Sequence, residues 1–74
     1  MTRAEACDAV DRELSSAMLK WPSRSNSPRH LHSIIEEEYD EFWDAIKADD
    51  FPHAEKECIQ LAAMALRYLI EARP

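Results

Sequence analysis

The chain has 74 residues, with 15 acidic and 9 basic side chains and a net charge of −6. A chain this short forms one domain at most and has a marginal core, so such folds commonly rely on oligomerisation, a metal ion or disulfides. The acidic balance argues against a nucleic-acid-binding surface, which is basic, and no apolar run approaches the ~20 residues of a membrane span.

Glycine is absent from the sequence. This excludes the Walker loop and the dinucleotide-binding turn, because both need glycine where the backbone approaches phosphate. The two cysteines, Cys7 and Cys58, do not have the spacing of a zinc motif. We expect two buried, reduced thiols in a cytoplasmic protein that binds neither a membrane nor nucleic acid.

The first predicted helix spans residues 3–20. Thr2 and Glu5 form a capping-box pattern at its start. Trp21 precedes a proline and therefore ends the helix, because that position disfavours the helical conformation. The helix has one apolar stripe with alternating spacings of three and four residues, formed by Cys7, Val10, Leu14, Ala17 and Trp21. Residues 21–28 form a polar loop, with Ser27 as the next N-cap.

Two longer helices are predicted over residues 29–47 and 52–72, each about 30 Å long. Asp49 or Asp50 caps the third helix, and the short connection predicts an antiparallel hairpin. Apolar residues cover more than half of the circumference of the third helix, which indicates burial on more than one side. We therefore predict an all-α fold of three helices with a long antiparallel hairpin, completed by homo-oligomerisation.

Two acids of the second helix depart from its amphipathic pattern. Glu38 falls in the middle of the apolar stripe, between Ile35 and Phe42, and Glu41 falls at its edge. A carboxylate there is costly unless it is paired or binds a cation. Glu38 and Glu41 are therefore either metal ligands directed inwards, or acids on an incompletely buried stripe or beside a neutralising arginine.

The third helix carries a polar strip of Lys56, Gln60, Arg67 and Glu71, bordered by Glu57. In an antiparallel hairpin, Glu57 and Gln60 can face Glu38 and Glu41 and so complete a cation-binding site. Mg²⁺ is the expected ion because it prefers oxygen ligands, with Mn²⁺ as the alternative. Arg67 could pair with Glu57 or Glu71, and such an ion pair would compete with the metal.

These residues carry a family likeness. The segments Glu37–Glu41 and Glu57–Gln60 resemble the motif of the MazG-like all-α nucleoside triphosphate pyrophosphohydrolases, which is Glu-x-x-Glu on one helix and Glu-x-x-Asp on the next. Three further segments resemble short phage and actinobacterial members of that family: Lys20–Pro22, Glu41–Asp44 and Ile59–Ala65.

The resemblance implies Mg²⁺-dependent cleavage of a nucleoside triphosphate between its α- and β-phosphates, releasing pyrophosphate. It implies the metal ligands Glu38, Glu41, Glu57 and Gln60, with Glu37 or Glu38 as the catalytic residue that orients the water. Gln60 departs from the pattern because an amide brings no charge and cannot act as a base. The alternative is a non-catalytic helical protein that binds a nucleotide or a protein partner.

Substrate contacts are predicted from cationic and aromatic side chains. Lys20 and Arg24 can attract a triphosphate, or they are ordinary surface charge. Trp43 can stack on a nucleobase, as can Trp21, although packing against a core or interface is the alternative. Three histidines are expected at the surface, with phosphate contact as the alternative for the first two: His30, His32 and His53.

Overall fold

The computed structural model describes residues 1–22 and 27–73, which include three helices. These are α1, Arg3–Lys20; α2, Pro28–Lys47; and α3, Phe51–Glu71. Helices α2 and α3 begin one residue earlier than the sequence predicts, and α3 ends one residue earlier. The described residues contain no strand, so the fold is all-α, and none of their helices is long and apolar enough to cross a membrane.

Side-chain caps define the starts of the first two helices. The Glu5 backbone N–H donates to Thr2 Oγ1 over 3.1 Å, and the Thr2 N–H donates to Glu5 Oε1 over 2.8 Å. At α2, the His30 N–H donates to Ser27 Oγ over 3.2 Å, and Pro28 occupies the first turn. Proline is favoured there because its missing N–H has no helical partner at that position.

Three residues, Ala48 to Asp50, connect α2 to α3 without glycine. Asp49 has a φ of 55°, the left-handed conformation that aspartate tolerates better than most residues. The Asp49 N–H donates to the Ile46 carbonyl and the Asp50 N–H to the Ala45 carbonyl, both over 3.0 Å, which is the Schellman pattern. Asp50 then caps α3 by accepting the His53 N–H over 3.3 Å. One short segment therefore ends one helix and starts the next.

Helix α3 is central in the fold. It packs against α2 and α1, whereas α1 and α2 make no packing contact with each other in the described part of the chain. Small residues allow this close packing: Ala63 is fully buried, and Ala45 and Ala54 are nearly so. The apolar core is completed by Leu14 and Leu31. A core this small agrees with the marginal stability expected of the chain length.

Apart from the exposed Lys56, the polar strip of α3 is buried or half-buried in the fold. Arg67 is only 6% exposed and the bordering Glu57 only 7%, because α3 is covered by helices on two sides. An apolar face of α3 points outwards instead, through Leu66, Leu69 and Ile70. The expected burial of the two cysteines is also wrong, because both thiols are free and exposed.

Candidate metal centre

Three carboxylates converge between α2 and α3. Glu38 and Glu41 on α2 and Glu57 on α3 each offer an oxygen, and these oxygens all lie within 4.8 Å of one another. Glu57 is buried, Glu38 half-buried and Glu41 exposed, so the cluster extends from the interior to the surface. Carboxylate oxygens gathered in this way are the donors that hard divalent cations prefer.

The short connection sets the register of these side chains. Glu41 lies eight residues before Asp49 and Glu57 eight residues after it, while Glu38 and Gln60 lie eleven residues before and after it. In an antiparallel hairpin, residues equally distant from the turn lie side by side. Glu41 therefore lies opposite Glu57, and Glu38 lies opposite Gln60, with the two pairs one helical turn apart.

The Gln60 amide lies between two of the carboxylates. With its nitrogen turned towards them, it donates to Glu38 Oε2 over 3.2 Å and to Glu57 Oε2 over 3.1 Å. With its oxygen turned towards them, it is repelled unless a cation lies between. Gln60 can therefore stabilise the cluster without metal by donating, and with metal by offering its oxygen.

No arginine or lysine neutralises the cluster within residues 1–22 and 27–73. Arg67 Nε pairs with Glu71 Oε2 over 2.8 Å, so Glu71 is the one of its two predicted partners that it contacts. No arginine of the described residues pairs with Glu57. The nearest basic group is the imidazole of His53, whose Nε2 lies 3.4 Å from Glu57 Oε1. His53 is about half exposed, so it bridges the cluster and solvent.

The crowded carboxylates raise one another's pKa. Desolvation is the largest cause for Glu38, followed by the charges of Glu41, Glu57, Glu13 and Glu37, and together they raise its pKa from 4.5 to about 7. The pKa of Glu41 is raised chiefly by its side-chain hydrogen bond with Glu57, then by desolvation. Both shifts favour the protonated form, and the charges of neighbouring carboxylates are a secondary cause of each.

A cleft of about 690 Å³ opens beside the cluster. Helices α1 and α2 form its walls and α3 its floor, because α1 and α2 stand apart on either side of α3. The polar and aromatic residues that line it come from all three helices and the residue after α1: Glu13, Ser16, Lys20, Trp21, His30, Glu37, Glu38, Gln60 and Arg67. A second hollow, of about 420 Å³, lies on the other side of the cluster, between Glu41, His53 and Glu57.

The structure brings together only some of the residues predicted to contact substrate. Glu37 and Lys20 line the cleft, with Glu37 outside the carboxylate cluster. Trp43 does not line it; this side chain is 49% exposed, and Lys47 Nζ lies 5.6 Å from its ring centroid. Trp21 is the tryptophan in the cleft. Arg24 lies outside the described residues.

Sequence reasoning missed three residues of this region. Glu13 reaches the cleft from α1, and only the docking of α1 on α3 reveals it. Arg67 was assigned to a polar strip, whereas it is buried and lines the cleft. His53 is exposed, as expected, but its contact with Glu57 was missed, although a spacing of four residues on one helix is a signal for contact.

In comparisons with known protein families, with curated proteins and with solved structures, no match to this chain was found.

The raised pKa of Glu38 predicts a pH-dependent effect of Glu38→Gln in a chelating buffer. Because the folded-state pKa of about 7 exceeds the ordinary value of 4.5, the folded chain keeps a proton that the unfolded chain releases. Stability from that proton is complete below pH 4.5 and is lost as the pH rises through 7. The amide carries no charge, so Glu38→Gln should raise the melting temperature more at pH 8 than at pH 5.

Thermal unfolding followed by circular dichroism at the two pH values measures this difference. The control is Glu36→Gln, because Glu36 is exposed on the same helix and lies outside the cluster. A Glu38→Gln effect that is the same at both pH values, or that is destabilising at pH 8, would contradict the raised pKa of Glu38.

Proposed function

We propose that this protein is a Mg²⁺-dependent nucleotide pyrophosphohydrolase that releases pyrophosphate from a nucleoside triphosphate. The observation that carries the proposal is the convergence of three carboxylates, from Glu38, Glu41 and Glu57, beside a cleft of about 690 Å³. The resemblance of the same residues to the MazG-like motif supports it independently of the structure.

The donor set fits a hard divalent cation. Three carboxylates supply oxygen and negative charge, and Gln60 can add an amide oxygen. Mg²⁺ usually binds a few protein oxygens and completes its shell with water and substrate phosphates. Mn²⁺ is the alternative because it accepts the same ligands. When bound, such an ion neutralises phosphate charge and lowers the pKa of a coordinated water.

The acids of the cleft have distinct roles in this proposal. Glu41 and Glu57 bind the ion, and Glu38 binds it on the side that faces the cleft. Glu37 lines the cleft outside the cluster, so its carboxylate is placed to orient a water and take its proton. The water oxygen bonds to the α-phosphorus, the bond from that phosphorus to the α–β bridging oxygen breaks, and pyrophosphate leaves with that oxygen.

The activity is tested by pyrophosphate release from a panel of ribo- and deoxyribonucleoside triphosphates at saturating Mg²⁺ or Mn²⁺. At least one nucleotide should be cleaved, and Glu57→Gln should lower the rate more than about 100-fold, because loss of an outer-shell partner alone costs 10–100-fold. Asp40→Asn is the control, because Asp40 is an exposed acid of α2 outside the cluster. The absence of release from every nucleotide with either ion would contradict the enzymatic proposal.

The alternative is a non-catalytic helical protein that binds a nucleotide or a protein partner. Gln60 favours it, because its amide can donate to Glu38 and Glu57 and so stabilise the carboxylates without any ion. In that case the site is a polar network in the hairpin, and the cleft binds its ligand without chemistry.

The two functions differ in their response to Gln60→Asp. If the cluster holds Mg²⁺, the added charge should tighten Mg²⁺ binding about tenfold or more, whereas in a chelating buffer the same charge should lower the melting temperature. Calorimetric titration with Mg²⁺ and thermal melts measure both effects. Gln60→Asn, which adds no charge, is the control. Loss of stability without any gain in Mg²⁺ affinity would support the non-catalytic protein.

The protein is also proposed to form homo-oligomers, as a dimer or tetramer. The support is the apolar face of α3, where Leu66, Leu69 and Ile70 are 40%, 78% and 51% exposed. Contiguous apolar patches of this kind mark association surfaces, and the small core leaves stability to be gained there.

Light scattering coupled to size exclusion tests the oligomeric state. The wild-type chain should have at least twice the monomer mass, and Leu69→Glu should shift it towards the monomer because a charge would be buried in the interface. The control is Leu19→Glu, since Leu19 is as exposed but lies on α1. A monomeric wild-type chain at high concentration would refute the association.

A further inference from the structure

The cleft has opposite charge at its two ends. Glu13, Glu37 and Glu38 lie at one end, beside Gln60, and Lys20, His30 and Arg67 lie at the other. The order from the acidic end to the basic end is the same on all three helices. Helix α2 is antiparallel to α3, so its acids lie beside Gln60. On α1, Glu13 and Lys20 follow one another in the same direction as Gln60 and Arg67 on α3. Seven residues separate Gln60 from Arg67, so the two ends are about 10 Å apart.

Arg67 is a buried cation held in a fixed position. Its Nε donates to Glu71 Oε2 over 2.8 Å, and its Nη2 donates to the carbonyl oxygen of Trp21. The second bond joins α3 to the end of α1, where Lys20 and Trp21 form a wall of the cleft. Arg67 therefore positions that wall and is itself oriented by two partners.

Arg67 also lines the cleft. Within residues 1–22 and 27–73, its Nη1 has no hydrogen-bond partner. An arginine whose orientation is already fixed binds an oxyanion with little further ordering cost.

We propose that Arg67, with Lys20 and His30, forms an anion subsite that binds the phosphate chain of a metal-bound di- or triphosphate. The identity of the ligand rests on the proposed function, because the opposite end of the cleft must hold the cation. A chain of phosphates suits the cleft because it can coordinate a cation at the acidic end and extend to cationic side chains about 10 Å away. Without the cation, the acidic end repels the same anion, so metal and anion should bind cooperatively.

The probe is inorganic tripolyphosphate, titrated calorimetrically into the full chain with and without Mg²⁺. Mg²⁺ should tighten its binding, and Lys20→Gln should weaken it several-fold. Lys47→Gln is a closely matched control: each lysine ends a helix and stacks on a tryptophan, with Nζ 5.8 Å from the Trp21 ring for Lys20 and 5.6 Å from the Trp43 ring for Lys47. Only Lys20 lines the cleft.

Two substitutions separate anion binding by Arg67 from its structural role. Arg67→Gln should weaken tripolyphosphate binding about tenfold or more, because it removes a charge-assisted contact. Glu71→Gln removes the negative charge that pairs with Arg67 but keeps the guanidinium and an amide oxygen that can accept from it, so it should preserve or tighten binding. A purely structural role predicts that both variants weaken binding in parallel with their loss of melting temperature.

Binding that weakens equally in Arg67→Gln and Glu71→Gln, or that responds to Lys20→Gln no more than to Lys47→Gln, would overturn the subsite. If Arg67→Gln does not fold, the comparisons of Glu71→Gln with the wild type and of the two lysine variants still decide the matter. If nucleotides are cleaved with release of pyrophosphate but tripolyphosphate binding by the variants does not follow this pattern, the subsite alone is refuted. Tripolyphosphate binding with this pattern, but no release from nucleotides, would refute the enzymatic proposal alone.

Discussion

The geometry of this molecule depends on the three-residue connection between α2 and α3. Asp49 takes the left-handed conformation at φ 55°, and the Schellman hydrogen bonds and the Asp50 cap fix where one helix ends and the next begins. Because the connection fixes the register, Glu41 lies beside Glu57, and Glu38 lies beside Gln60. One inserted residue would rotate α3 by about 100° and would separate these carboxylates. The candidate site is thus a consequence of how the hairpin turns.

That register has an energetic cost in the absence of a cation. Desolvation, followed by the repulsion of neighbouring carboxylates, raises the pKa of Glu38 to about 7, and the three carboxylates lie within 4.8 Å of one another. Gln60 and His53 offset part of the repulsion, by donating hydrogen bonds and by lying close to Glu57. A chain with so small an apolar core is stabilised most by a ligand that removes the remaining repulsion between the carboxylates. Cation binding and hairpin stability are therefore coupled in this account.

The three helices and much of the hairpin could be predicted from sequence because their determinants are local. The capping residues Thr2 and Ser27, the helical periodicity and the phase that directs Glu38 inwards all act within one helix. The placement of α1 could not be predicted, because it depends on tertiary packing against α3 rather than on any pattern within α1. Glu13 and the buried state of Arg67 were missed for that reason. Trp21 and Trp43 both remained candidates for base stacking, because helical phase alone does not show which side of the hairpin α1 covers.

The central claim is that Glu38, Glu41 and Glu57 hold one divalent cation in common. Titration of the chelated, ion-free chain with Mn²⁺, with free Mn²⁺ followed by electron paramagnetic resonance, tests it most directly. We expect saturable binding that is lost in Glu57→Gln and retained in Glu55→Gln, which removes an exposed acid two residues earlier on the same helix. Equal Mn²⁺ binding by the two variants, or no saturable binding by the wild-type chain, would contradict it.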